Sequence, residues 1–156
     1  MQVRDAFAHF FALREQFYRK YKDELPQPAA PVLMTEQVDF AHAEAILGFP
    51  VHPDIKAYLS AYQFEMIEGF VQEIYVNLYG VQNPEDVEQM LLFGFSMGKA
   101  HFLDEAHEWY LGGGDPCEMY VNNTTGEVTA AIPYEQKSVH IADSIADFLM
   151  MMQCEL

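Results

Sequence analysis

CEMYVNNTTGEVTAAIP, residues 117–133, followed after a polar stretch by IADSIADFLMMM, residues 141–152, decides how the fold is read. Met119 and Val121 share one strand face, and Val128, Ala130 and Ile132 share one face of the next, because side chains alternate along extended chain. Asn122 to Gly126 supplies turn chemistry, with Gly126 free to take a positive φ. Pro133 has no N–H for a ladder and marks a strand end or an edge. Ser144 and Asp147 stand at capping-box spacing, with Asp143 near the positive helix end. Ile141, Ile145, Phe148, Leu149 and Met152 then make one apolar helical stripe. A strand hairpin closed by an amphipathic helix is the unit around which the rest is arranged.

Working outward, residues 3 to 22 read as a helix, with Val3, Phe7, Phe10, Leu13, Phe17 and Tyr21 at helical spacing. Its basic residues gather in the last turns. Pro26, Pro28 and Pro31 make residues 25–34 an extended connector, with too little chain before it to fold alone. A short helix carries Phe40, Ala43 and Leu47, and Gly48 ends it. Pro53 and Asp54 open another, with Ile55, Tyr58, Leu59 and Tyr62 inward. Glu65 to Tyr79 reads as one long strand region, Phe70, Ile74, Val76 and Leu78 on one face and Glu73, Tyr75, Asn77 and Tyr79 on the other. Asn83-Pro84-Glu85-Asp86 starts a helix whose Val87, Met90, Leu91, Gly94 and Met97 face the core. Trp109 to Leu111 suggests a strand, and Gly112-Gly113-Gly114-Asp115-Pro116 a loop.

Twenty-four acidic residues against eight basic give a net charge of −16. Residues 1–22 hold five basic side chains against two acidic, a net +3, and the remainder three against twenty-two, a net −19. Such a surface repels phosphate, which excludes nucleic acid, and steers a basic protein partner. Two cysteines are too few for a disulfide framework. No apolar run approaches the roughly 18 residues of a membrane span. Met1 to Leu13 imitates a signal peptide, but Asp5 and His9 interrupt it and no small-residue cleavage site follows, so the chain reads as cytoplasmic.

Reactive side chains cluster at His101, Asp104, Glu105, His107 and Glu108, at spacings that could hold a divalent metal. A metal-binding module or enzyme built there is the alternative of another class; with neither a His-Glu-x-x-His motif nor a cysteine pair, a solvated acidic connector is preferred, with no metal and no cofactor. The triple glycine lacks the Lys-Ser/Thr tail of a phosphate loop. No nucleophile-elbow pattern surrounds Ser60, Ser96, Ser138 or Ser144, nothing activates Cys117, and His140 reads as a packed or hydrogen-bonded histidine. With no catalytic constellation, the candidate surface is one for a partner: Glu65, Glu68, Glu73, Tyr75, Tyr79, Asp104, Glu105, Glu108, Trp109, Asp115 and Glu118. Acids on its rim would speed encounter, and tyrosine or tryptophan anchors would carry affinity.

Five segments occur in a telling order: HPDIKAY at 52–58, the alternating 65–80, NPEDVEQML at 83–91, NTTGEV at 123–128 and IADSIADFL at 141–149. In order and spacing, from about residue 10 to about residue 152, they resemble the SecY-interacting Syd proteins and the wider SUKH superfamily. The resemblance implies a single Syd/SUKH-like domain over 1–156, residues 1–24 being its N-terminal helix. It also implies an α+β fold, a mainly antiparallel central sheet with helices packed against it, which is what the pattern of elements gives too. It further implies a non-catalytic bacterial binding protein. One form is an immunity protein that neutralises a basic toxin domain; another binds basic cytoplasmic loops of the SecY translocase. Met34 to Asp39 stands where the Syd type has a Trp-Pro-Ser-Pro-Cys-like segment, which favours the immunity form. Membrane association would come only through the protein partner, and the chain itself would be a monomer or a weak homodimer, self-association through the aromatic first helix being the third reading.

Overall fold

The computed structural model describes residues 1–102, 107–132, 135 and 137–156. Helix α1 (Val3–Lys20) leads to strand β1 (Val32–Leu33), helix α2 (Ala41–Leu47) and helix α3 (Pro53–Ala61). Strands β2 (Tyr62–Gln63), β3 (Met66–Val71) and β4 (Ile74–Tyr79) follow, then a 3₁₀ turn at Pro84–Asp86 and helix α4 (Val87–Phe102). Strands β5 (Glu108–Asp115), β6 (Glu118–Asn122), β7 (Val128–Ala131) and β8 (Ser138–Ala142) complete the sheet, and helix α5 (Ile145–Met151) closes it. The six strands β3 to β8 pair antiparallel in sequence order, and β1 pairs with β2 in a second, two-stranded sheet. The α+β class with an antiparallel sheet and packed helices therefore stands.

Local chemistry accounts for most boundaries. Gly48 takes φ +82° at the C-cap of α2. His52 caps α3 through Nδ1, which accepts from the Asp54 amide at 3.0 Å, and Pro53 begins the helix. Ser144 Oγ accepts from the Asp147 amide at 3.0 Å and caps α5. The core joins Phe7 and Phe10 of α1, Ile55 and Tyr58 of α3, Leu91 of α4 and Phe148 of α5 to Ile67, Val76, Trp109, Met119 and Val121 of the sheet. Trp109 sits at its centre, 0% exposed, with Nε1 donating to the Leu91 carbonyl at 3.2 Å. Tyr58 Oη likewise donates to the Tyr79 carbonyl at 2.8 Å, so both buried polar tips are paired.

Five expectations are corrected. Residues 65–79 are a hairpin rather than one strand: Gln72 and Glu73 turn at φ 49° and 70° without the glycine that usually announces such a turn. The register then puts Phe70 opposite Tyr75, on the wet face and not the buried one. Gly112, Gly113 and Gly114 are not a loop but the middle of β5, paired with Leu78, Asn77 and Val76. A Cβ at Gly112 or Gly114 would press on the backbone of β4, so bare glycine permits the pairing. Ile141 belongs to an unforeseen edge strand, β8, and Ile132 lies outside β7 and is exposed. Pro133, expected at a strand end, lies outside the described residues.

Helix α4 needs its glycines. A Cβ at Gly94 would strike the Trp109 indole and one at Gly98 the Glu108 carbonyl. Alanine favours an isolated helix by about 1 kcal/mol, yet here Gly98→Ala destabilises by about 1–3 kcal/mol because rigid backbone must move. Urea denaturation checks this, with exposed Ser96→Ala as a control that shifts stability by less than about 0.5 kcal/mol.

Candidate functional site: the open face of the sheet

Alternation along the strands gives the sheet two unlike faces. The helices cover one of them. The other presents Met66, Glu68 and Phe70 of β3, Tyr75, Asn77 and Tyr79 of β4, and Glu108, Tyr110, Gly113 and Asp115 of β5. Glu118, Tyr120 and Asn122 of β6 continue it, but here the last turn of α4 lies over it, and Tyr120 is buried beneath His101 and Phe102. None of the strands β3 to β8 contains a lysine or arginine, whereas they contain Glu68, Glu108, Asp115 and Glu118.

Hydroxyls hold the carboxylates in place. Tyr75 Oη donates to Glu68 Oε2 at 2.6 Å, and Tyr120 Oη to Glu118 Oε2 at 3.0 Å. Asn122 Nδ2 donates to Glu108 Oε1 at 3.3 Å. The Tyr110 and Tyr120 rings meet edge to face at 5.6 Å, and the Phe70 and Tyr75 rings at 5.9 Å. A bulge between Tyr110 and Gly112 shifts the alternation of β5, so that Gly113 and Asp115 share this face with Glu108 and Tyr110. Each of these tyrosines ionises above its ordinary range. The bond to Glu68 raises Tyr75 first and burial second; burial leads for Tyr110 and Tyr120, with the Glu118 charge adding to both.

The expected surface residues divide as follows. Glu68, Tyr75, Tyr79, Glu108, Asp115 and Glu118 lie on the open face. Glu73 is exposed in the hairpin turn beside it, and Glu65 is exposed just ahead of β3. Asp104 and Glu105 lie outside the described residues. Trp109 is a correction: one position from Glu108 on the strand, it points into the core and cannot meet a partner. Sequence reasoning missed Tyr110, which alternation from Glu108 turns outward opposite Tyr120.

Of the His101–Glu108 group, Asp104 and Glu105 lie outside the described residues, and the two histidines make different ring contacts. The His101 ring packs against Phe102 and Tyr120, whereas His107 stacks on Phe49 at 3.7 Å. A different trio, Glu127, His140 and Asp143, brings possible ligand atoms within 4.8 Å of one another, all three residues being exposed. His140 Nε2 is 3.0 Å from Asp143 Oδ1 and its Nδ1 is 4.0 Å from Glu127 Oε2, so carboxylates engage both ring nitrogens. Cys117 and Cys154 are free thiols, and burial pushes both upward, away from thiolate chemistry. Among the described residues no helix is long and apolar enough to cross a membrane.

Comparison with known proteins bears on the same chain. The family model described as Syd protein (SUKH-2) matches residues 18–154. Protein Syd of Shewanella frigidimarina (strain NCIMB 400) is 27% identical over 124 residues, which are 76% of this chain and 56% of that protein. The chain thus spans little more than half the length of that relative.

The face has a pH signature. Tyrosines whose ionisation is raised by folding contribute stability that is complete below their unfolded value, about 10, and is lost as pH climbs above it. Tyr75, Tyr110 and Tyr120 are joined in this by buried Tyr58 and by Tyr18. Ultraviolet titration of the phenolates will therefore show these groups ionising together with unfolding, and Tyr120→Phe will flatten the alkaline fall in stability.

Proposed function

The chain belongs to the Syd protein (SUKH-2) family, and from that premise we propose that it is a non-catalytic docking protein whose open sheet face receives a basic polypeptide. Basic cytoplasmic loops of the SecY translocase are the partner, and the protein acts from the cytoplasm as one domain over residues 1–156. One observation carries this reading: the sheet face that stays open over β3 and β4 and the neighbouring parts of β5 and β6 bears Glu68, Glu108, Asp115 and Glu118 among tyrosines, and no strand of the sheet carries a lysine or arginine.

The physics suits a charged partner. The Tyr75 and Tyr120 hydroxyls each occupy one lone pair of a carboxylate and orient it, leaving further acceptor sites for lysine or arginine. The rings offer apolar and cation–π contact at low entropic cost. A face whose strands carry acids and neither lysine nor arginine raises the encounter rate with a cationic loop. Neutralising a basic toxin domain would use the same face. That reading, drawn from charge and from Met34 to Asp39, takes second place because the matched family model is the Syd one.

A synthetic peptide of a basic SecY cytoplasmic loop, titrated by fluorescence anisotropy, tests it. The double variant Glu68→Gln/Glu118→Gln binds about tenfold more weakly and with a shallower salt dependence, while Glu36→Gln/Glu85→Gln, off the sheet, binds as the parent does. Equal weakening by both pairs, or binding indifferent to ionic strength, would overturn the assignment of the face.

A further inference from the structure

Helix α1 buries a cation that no carboxylate of the described residues answers. Arg14 is 8% exposed and takes part in none of the ion pairs found among those residues. Its Nη2 donates to the Ala29 carbonyl at 3.3 Å, and its guanidinium stands 4.9 Å over the Phe11 ring. A guanidinium carries five N–H donors, so most of this one's capacity is unspent. Burying such a charge without a counter-ion is costly, and burial depresses its ionisation. Its unspent N–H groups are not among the sealed-off polar atoms but open into the adjoining cleft, where an anion can reach them.

The space beside it is suitable. Arg14 lines a cleft of about 380 Å³ whose walls include Phe17, Tyr18, Leu25, Phe70 and Tyr75. One side is the outer edge of β3. Phe70 bonds Gln153 there through both its N–H, at 2.7 Å, and its carbonyl, at 2.9 Å. In an antiparallel strand alternate residues turn their backbone groups to the same edge, so Glu68 and Met66 offer theirs to this cleft as well. Beyond Gln153, no other segment among the described residues pairs with that edge. Glu68 is the one carboxylate in the lining, and its Oε2 is engaged by Tyr75.

We propose that this cleft takes an extended peptide as an added strand on β3, with a carboxylate of that peptide paired to the Arg14 guanidinium. Main-chain bonds to Met66 and Glu68 would set the direction, the aromatic walls would hold an apolar side chain, and the fork of Arg14 would read the anion. The carboxylate is either the C-terminus of the peptide or an Asp or Glu side chain. Arg14 and Phe17 precede residue 18, where the family match begins, so the site draws on this chain's own first helix, while Met66, Glu68, Phe70 and Tyr75 belong both to its walls and to the open face.

Three short peptides on the full-length, isotopically labelled protein test it: acetyl-Val-Val-Phe with a free C-terminus, the same peptide amidated, and amidated acetyl-Val-Asp-Phe. NMR follows the Arg14 side-chain N–H and the backbone amides of Met66 and Glu68. At least one carboxylate-bearing peptide shifts these signals saturably and binds about tenfold more tightly than the peptide without a carboxylate. Which of the two binds identifies the source of the anion. Arg14→Gln abolishes the difference, and Arg14→Lys retains part of it. Equal binding by all three peptides, no shift at these signals, or an unchanged preference in folded Arg14→Gln would overturn the proposal. If Arg14→Gln does not fold, the acid-against-amide comparison on the parent protein decides alone.

Discussion

Trp109 and the two glycines of α4 set the spacing between helix and sheet, and the two-faced character of the molecule follows from them. With Gly94 under the indole and Gly98 against the Glu108 carbonyl, α4 lies as close to β5 as backbone allows. The indole N–H then reaches the Leu91 carbonyl, which removes the cost of burying it. Close packing on this side gathers Phe7, Tyr58, Phe148 and their neighbours into one core. Most of the helical surface is engaged there, so the opposite face stays open to water over β3 and β4, while the last turn of α4 covers Tyr120. A half-buried antiparallel sheet can accept that arrangement, because its alternation places polar groups outward. The partner-binding reading depends on this asymmetry more than on the net charge, which by itself would serve only solubility.

The elements that could be read in the sequence were those whose signals are local. The Ser144 cap, Gly48 at the end of α2, Pro53 at the start of α3 and the apolar spacing of α1 all stand where the residues say they should. The errors share a cause: pairing partners far along the chain override local preference. Three successive glycines read as a loop because glycine weakens strands, yet β4 needs their bareness to come close. Gln72 and Glu73 carry no turn signature, yet the strands they join force both to positive φ. β8 went unseen because an edge strand with three exposed residues at its start has no apolar rhythm until Ile141.

The same distinction runs through the site. That acids and tyrosines alternate between residues 65 and 79 is legible in the sequence, and so is the group around Glu118. Which of them share a face is a matter of register. One position separates Glu108, outward, from Trp109, inward, and a single bulge beyond Tyr110 brings Asp115 to the same side. An aromatic residue serves core and interface equally well by composition, so only the pleat could tell Trp109 from Tyr110.

Charge is segregated as well as abundant, and the chain ends show why that matters. The basic first helix lies against the C-terminal segment, where Lys20 meets Glu155 at 3.2 Å and Tyr21 donates to the same carboxylate at 3.0 Å. That contact is exposed and adds little stability. What it accompanies is a placement: Gln153 bonds to Phe70 on the edge of β3, where Gly69 has no Cβ to keep its carbonyl away. The cationic helix is thereby set beside the β3 edge of the sheet, while the anionic residues stand on the face around the corner. Two surfaces of opposite sign thus adjoin along β3. Each selects against what the other attracts, so a polypeptide with a basic stretch and one presenting a carboxylate would be sorted to different places on a small protein.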